Sequence, residues 1–211
     1  KPTENNAHPH ATERLAVVHN GIIENFRELR DELANKGARF GSETDTEVVA
    51  HLVTEEMKKG LSPVDAVRAT LPRLRGAFAL AFIFAGEDDL MIGARKGSPL
   101  AIGHGSDDMY LGSDAIALAP FTDTISYLEE GDSVVVRRNG VQVFDAAGRS
   151  VERAKIKTTG SAFLVDKGNH RHFMAKEIHE QPEVVAHTLS HYLDMANEAV
   201  TLPGKLPFDF K

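Results

Sequence analysis

The feature that most restricts this chain is a series of short apolar segments through its middle. They are GAFALAFIF, DLMIGAR, PLAIGH, MYLGS, TISYL, DSVVVRR and VQVFD, at residues 76–84, 89–95, 99–104, 109–113, 124–128, 132–138 and 141–145. Each has strand length and falls short of an ordinary helix. Glycine, aspartate and proline interrupt them at a spacing of about ten residues, which calls for antiparallel sheets. Asn139-Gly140 separates the last two and predicts a two-residue hairpin, because both residues tolerate positive φ. The longest apolar run, GAFALAFIFAG at 76–86, is too short to cross a bilayer and has no basic start of a signal peptide. It reads as a buried strand.

Ahead of this block the pattern is helical. LAVVH at 15–19 is a short buried strand, and Asn20-Gly21 after it reads as a sharp turn into a helix at 25–36. Asn25 is placed to cap that helix, Phe26, Leu29 and Leu33 share one face, and Gly37 ends it. A second helix begins at Thr44, where Thr44 and Glu47 have capping-box spacing, and Val48, Val49, Leu52, Val53 and Met57 form its apolar stripe. A third has Ser62 as cap and Pro63 at its first position, with Val64, Val67 and Leu71 turned inward. These helices form one layer. A brief helical turn is expected at 114–119, a polar linker at 153–169, and an amphipathic helix at 175–199 that Pro182 breaks or kinks.

Composition removes several function classes. The net charge of the 211 residues is −7 and the basic residues are scattered, which argues against a nucleic-acid or anionic-membrane partner. The absence of cysteine rules out disulfides and thiolate zinc sites within these residues. With 42% hydrophobic and 26% charged residues, the chain reads as a soluble globular protein, and the short apolar run without a signal-peptide start makes a cytoplasmic one the expectation.

Three stretches carry possible chemistry. Asn20 and Gly21, at the end of a buried strand, can offer a side-chain amide and a backbone N–H to one point, an oxyanion hole for a carbonyl or amide under attack. The alternative is a plain tight connection. Asp45, within SETDTE at 42–47, either serves the helix N-terminus or pairs with a ligand ammonium. The histidines of HPH at 8–10, HRH at 170–172, and the pair His187 and His191 suggest metal binding, but none has the HExxH arrangement. No metal and no cofactor is expected. Lys96-Gly97-Ser98-Pro99 lacks the full spacing of a phosphate loop and reads as a turn.

Taken in order, NAHPH, VVHNGIIEN, SETDTEV, LRGAFA, ARKGSPLAIG, SDAIALAP, LEEGD and MAKEIHEQP resemble the glutaminase half of the glucosamine-6-phosphate synthases, the glutamine:fructose-6-phosphate aminotransferase (isomerizing) family. HNG and SETDTE are similar to related glutamine amidotransferases as well, whereas KEIHEQP before a helix points to this family. The resemblance implies an α+β fold, the N-terminal-nucleophile (Ntn) αββα sandwich of two antiparallel sheets with helix layers outside. It also implies that the Asn20 amide and the Gly21 N–H form the oxyanion hole and that Asp45 grips the glutamine α-ammonium. His8 is the remaining candidate for substrate contact, with packing as its alternative.

The family's nucleophile is a cysteine at the mature N-terminus. This sequence starts at Lys1 and has no cysteine. The expectation is therefore a sandwich truncated at the N-terminus: residues 1–170 as a partial glutaminase domain and 171–211 as linker and helix leading to an absent sugar-isomerase domain. L-glutamine and fructose-6-phosphate are the implied partners, with a homodimer. The chain as written is expected to be inactive, with an open gap in its sandwich or pairing to another chain. A non-catalytic binding module of the same fold is the alternative.

Overall fold

In the computed structural model, which describes residues 3–158, 170–190, 192–194 and 199–200, the strand block folds into two antiparallel sheets. In the first, β1 (His10–Ala11), β2 (Leu15–Ile23), β3 (Gly76–Phe84), β4 (Met91–Lys96), β8 (Ser133–Arg137), β9 (Gly140–Phe144) and β10 (Ser150–Val151) lie side by side in that order. In the second the order is β11 (Ile156–Lys157), β7 (Thr124–Tyr127), β5 (Ala101–His104) and β6 (Met109–Gly112). These elements belong to a unit spanning Lys1–Val165; Asp166–Lys211 is a second unit.

Side chains alternate along each strand, so the first sheet has two faces with different neighbours. On one, Val17, Leu80, Phe82 and Ile92 pack against Leu33 of α1 (Phe26–Asn35), Val48, Leu52 and Val53 of α2 (Asp45–Lys58), and Val67 of α3 (Pro63–Thr70). Each such side chain, fully buried, contributes roughly 1.5–3 kcal/mol before conformational entropy is charged against it. On the other, Val134, Val136 and Val143 meet Leu100, Ile102 and Leu128 across the sheet interface. A Cβ at Gly93 would come within 2.9 Å of both Leu111 and Val134, so the sheets meet closely there. On the outer side of the second sheet, the one-turn α4 (Ala115–Leu118) sets Leu118 over Ala101 and Ile125.

The inter-sheet face is not covered throughout. Its β2–β3 end carries Val18, Ile22 and Ile83 at 43%, 65% and 59% exposure, with Asn20 among them. An apolar strip of this kind is a surface that folding leaves unpaired.

Thr44 and Ser62 cap α2 and α3 as their spacing predicts, accepting from the N–H groups of Glu47 and Asp65. Elsewhere the sequence reading needs correction. Asn20-Gly21 is no turn: β2 runs through it and pairs with β3 without a break from Leu15↔Phe84 to Ile23↔Gly76. Asn25 stands at the N-cap of α1 but makes no cap bond. Its amide instead donates to Arg73 C=O and its oxygen accepts from Arg75 N–H, each at 2.9 Å. The expected linker at 153–169 contains β11, and Arg153 in it forms a two-pronged pair with Asp132 at 2.7 and 2.9 Å; residues 159–169 lie outside the described residues.

In the second unit, α5 (Phe173–Ser190) passes through Pro182 unbroken and ends earlier than predicted. Tyr192 N–H turns back to Leu189 C=O, and β12 (Leu193–Asp194) pairs with β13 (Ala199–Val200) where helix was expected. His191 is outside the described residues.

Candidate functional site

The edge of β2 nearest the N-terminal strand brings the Gly21 N–H and Asp45 to one side of the strand, whereas the Asn20 side chain lies on the inter-sheet face. Successive N–H groups of an antiparallel strand point to alternate edges. Glu24 N–H donates to Arg75 C=O on the β3 side, so those of Ile23 and Gly21 point the opposite way. The two-residue β1 pairs only with Val17 and Ala16, leaving this edge open from Val18 onward. Asp45, the first residue of α2, reaches it: Oδ2 accepts the Ile23 N–H at 2.7 Å. Its other oxygen, Oδ1, has no hydrogen-bond partner among the described residues, and the side chain is 22% exposed. The carboxylate thus stands two residues along the edge from Gly21 with one oxygen available.

Gly21 is required by close approach. Its φ is +129°, and a Cβ built on it would overlap Ala77 C=O and lie 2.9 Å from Phe78 Cα. Asn20 lies on the inter-sheet face, in one row with Ala79 and Arg95, where it is exposed.

The first turn of α2 is tied to the N-terminal stretch by threonines. Thr46 Oγ1 sits between His19 Nδ1 at 3.1 Å and His8 Nε2 at 3.3 Å, and Thr44 Oγ1 lies 3.1 Å from His10 Nε2. His8 is therefore packed against Thr46 beside Asp45. Glu47 faces backwards: its carboxylate accepts from Gly41 N–H, Ser42 N–H and the Ser42 hydroxyl at 2.8, 2.8 and 2.6 Å. The capping box is thus only half made, since Glu47 holds the preceding loop and not the Thr44 N–H. Sequence reading missed His19, Thr46 and Ser42 as parts of this arrangement; the hydroxyl-rich SETDTE was the only local signal.

Burial pushes the His19 pKa below its ordinary 6.5, opposed by the Asp45 carboxylate and aided by His8. Burial also lowers His10, with His8 acting the same way and Glu47 and Asp45 opposing. Between the lowered folded values and 6.5 the unfolded chain binds more protons, so stability falls as pH drops through that window. We expect the urea midpoint to decrease from pH 7 to pH 5.5, by less in His19→Asn; an unchanged midpoint would contradict this.

Other candidates lie apart. Lys96-Gly97-Ser98-Pro99 is a bend whose Gly97 N–H donates to the Glu130 carboxylate at 2.9 Å. Among the described residues no group of three or more His, Asp or Glu gathers as a metal site. Cavities of about 860 and 580 Å³ are lined by other segments, the larger around His104, Ser126 and Arg153, the smaller around Arg68, Phe78 and Asp145.

Comparison with known proteins gives this geometry its context. A family model described as a glutamine amidotransferase domain matches residues 2–120. The chain is 70% identical along its full length to a glutamine–fructose-6-phosphate aminotransferase [isomerizing] of Bradyrhizobium diazoefficiens, covering 35% of that relative. It is 63% identical over 95% of its length to a protein of the same name from Brucella abortus, covering 33% of it. The chain thus spans about a third of the curated relatives it matches. Among solved structures, a B. subtilis glutamine phosphoribosylpyrophosphate amidotransferase superposes with a TM-score of 0.56 at 27% identity, over 64% of this chain and 30% of that one. A structure described as the allosteric regulatory enzyme of purine biosynthesis gives 0.54 at 28% identity, over 63% of this chain and 28% of the other. The fold is accordingly the α+β sandwich of N-terminal-nucleophile amidotransferases. With the model match over more than half its length, the chain belongs to the glutamine amidotransferase domain family.

Proposed function

We propose that this chain forms part of the glutamine-hydrolysing site of an enzyme that delivers ammonia to fructose-6-phosphate and makes glucosamine-6-phosphate; in support, its relatives are named glutamine–fructose-6-phosphate aminotransferase [isomerizing]. The observation that carries the reading is Asp45, whose Oδ2 is fixed on Ile23 N–H while Oδ1 has no partner among the described residues. A carboxylate so held can grip the α-ammonium of glutamine by a charge-assisted hydrogen bond. The Asn20 amide and the Gly21 N–H then stabilise the oxyanion that develops when the side-chain amide is attacked. His8, held against Thr46 next to Asp45, is the further candidate for substrate contact.

These residues supply binding and oxyanion stabilisation; the family's nucleophile is an N-terminal cysteine, and the 211 residues contain none. The exposed strip of Val18, Ile22 and Ile83 beside Asn20 suits an apolar segment bringing that nucleophile. Residues 1–170 are assigned to the glutaminase domain and 171–211 to the connection towards a sugar-isomerase domain, in a cytoplasmic homodimer.

Ammonia release from glutamine tests the proposal. A polypeptide of these 211 residues alone is expected to give none above buffer, because oxyanion stabilisation without a nucleophile has no intermediate to act on. In the full-length protein that carries them, Asp45→Asn should raise KM for glutamine about tenfold, the loss of one partly exposed charge pair. An unchanged KM would remove Asp45 from substrate binding.

A further inference from the structure

His19 is on the face of β2 that packs towards α2, and its side chain is 98% buried at 2% exposure. Its Nδ1 lies 3.1 Å from Thr46 Oγ1 and 3.8 Å from Asp45 Oδ2, whereas its Nε2 is buried without a hydrogen-bond partner among the described residues. A neutral imidazole has one N–H, so two tautomers compete. With the proton on Nε2, a buried donor goes unpaired and the Nδ1 lone pair faces a carboxylate. With the proton on Nδ1, the N–H donates to Thr46 Oγ1 and its positive end faces Asp45, while Thr46 O–H passes on to His8 Nε2, 3.3 Å away. The second arrangement leaves only a bare acceptor unpaired, the less costly defect.

We infer that His19, as its Nδ1–H tautomer and through Thr46, is the positioning residue that holds Asp45 on the β2 edge with Oδ1 directed at the substrate ammonium. The imidazole bridges β2 and the first turn of α2 beside the Ile23–Asp45 bond, so the carboxylate is fixed from two sides. This rests on the assignment of Asp45 to the glutamine ammonium. His19 itself makes no substrate contact.

Two measurements test it. In the 211-residue chain, two-bond ¹H–¹⁵N correlation of labelled histidine at neutral pH is expected to place the His19 proton on Nδ1; the Nε2–H tautomer overturns the inference whatever Asp45 binds. In the full-length protein, His19→Leu should raise KM for glutamine about fivefold with kcat changed less than about twofold, as expected when ground-state and transition-state binding are lost together. His19→Asn, whose amide N–H replaces Nδ1–H, should restore KM. Because His19 acts through Asp45, His19→Leu combined with Asp45→Asn should be no worse than Asp45→Asn alone. Should the leucine variant fail to fold, His19→Gln, whose amide reaches the Nε2 position, carries its expectation. Effects that add, or a folded His19→Asn with the KM of the leucine variant, overturn the inference. An Asp45→Asn enzyme of normal KM alongside an Nδ1–H tautomer would instead locate the failure in the assignment of Asp45.

Discussion

Gly21→Ala is expected to destabilise the chain by more than ~4 kcal/mol, a large part of the stability of an ordinary domain. Two costs add. A φ of +129° lies where an L side chain is strained, and the new Cβ would overlap the carbonyl of Ala77 on the neighbouring strand. Relief requires β2 and β3 to separate, but their nine-residue ladder is the backbone of the sheet against which Leu33, Val48 and Leu52 pack. Gly37 provides the control: it too has positive φ, +93°, but nothing lies within 4 Å of its Cβ position. Gly37→Ala should therefore lose only the conformational term, about 1 kcal/mol. Urea unfolding of both variants separates the effects. A Gly21→Ala chain as stable as Gly37→Ala would show that the strands are not in close contact at this point.

That position also shows what a sequence can and cannot disclose. Asn-Gly is a strong turn signal when judged by its neighbours, yet the reason for Gly21 lies in Ala77, more than fifty residues away. The strands at 76–144 were legible because their breaks are local glycines, aspartates and prolines; a two-residue hairpin does join β8 and β9, but its register pairs Arg137 with Gly140, so the loop residues are Arg138 and Asn139, one place earlier than Asn139-Gly140, and Gly140 opens β9. Thr44 and Ser62 were legible as caps for the same reason, since the N–H each accepts is three residues away. Asn25 occupies the predicted cap position but spends its side chain on residues 73 and 75, contacts that no local pattern encodes. The candidate site divides along the same line. Asn20, Gly21 and Asp45 stood out by residue type and by resemblance, but the strand that carries Asn20 and Gly21 was not legible locally, and the link from His19 to Thr46 crosses from sheet to helix over 27 residues.

Glu47→Ala is expected to cost about 3 kcal/mol, because it strands several donors at once. Gly41 N–H, Ser42 N–H and the Ser42 hydroxyl all converge on this one carboxylate, which is only 7% exposed. Removing one partner of a buried polar cluster costs more than the cluster contributes as a pair, since the remaining groups lose both protein and water. Glu47→Gln keeps one carbonyl acceptor and should cost roughly half as much. Burial works to raise the Glu47 pKa, but the hydrogen bonds from Ser42 and Gly41 outweigh it and hold the group below its ordinary 4.5. Its contribution is thus complete above 4.5 and lost as pH falls through the lower folded value, so Glu47→Gln should be less acid-sensitive than the parent in that range. The loop at 41–44 also leads directly into Asp45, so a chain without Glu47 loosens the start of α2 where the candidate ammonium-binding carboxylate sits. Thermal unfolding across this pH range, with Ser42→Ala to complete a double-mutant cycle, measures the coupling. Additive effects of Ser42→Ala and Glu47→Ala would mean that the hydroxyl and carboxylate do not act as one unit.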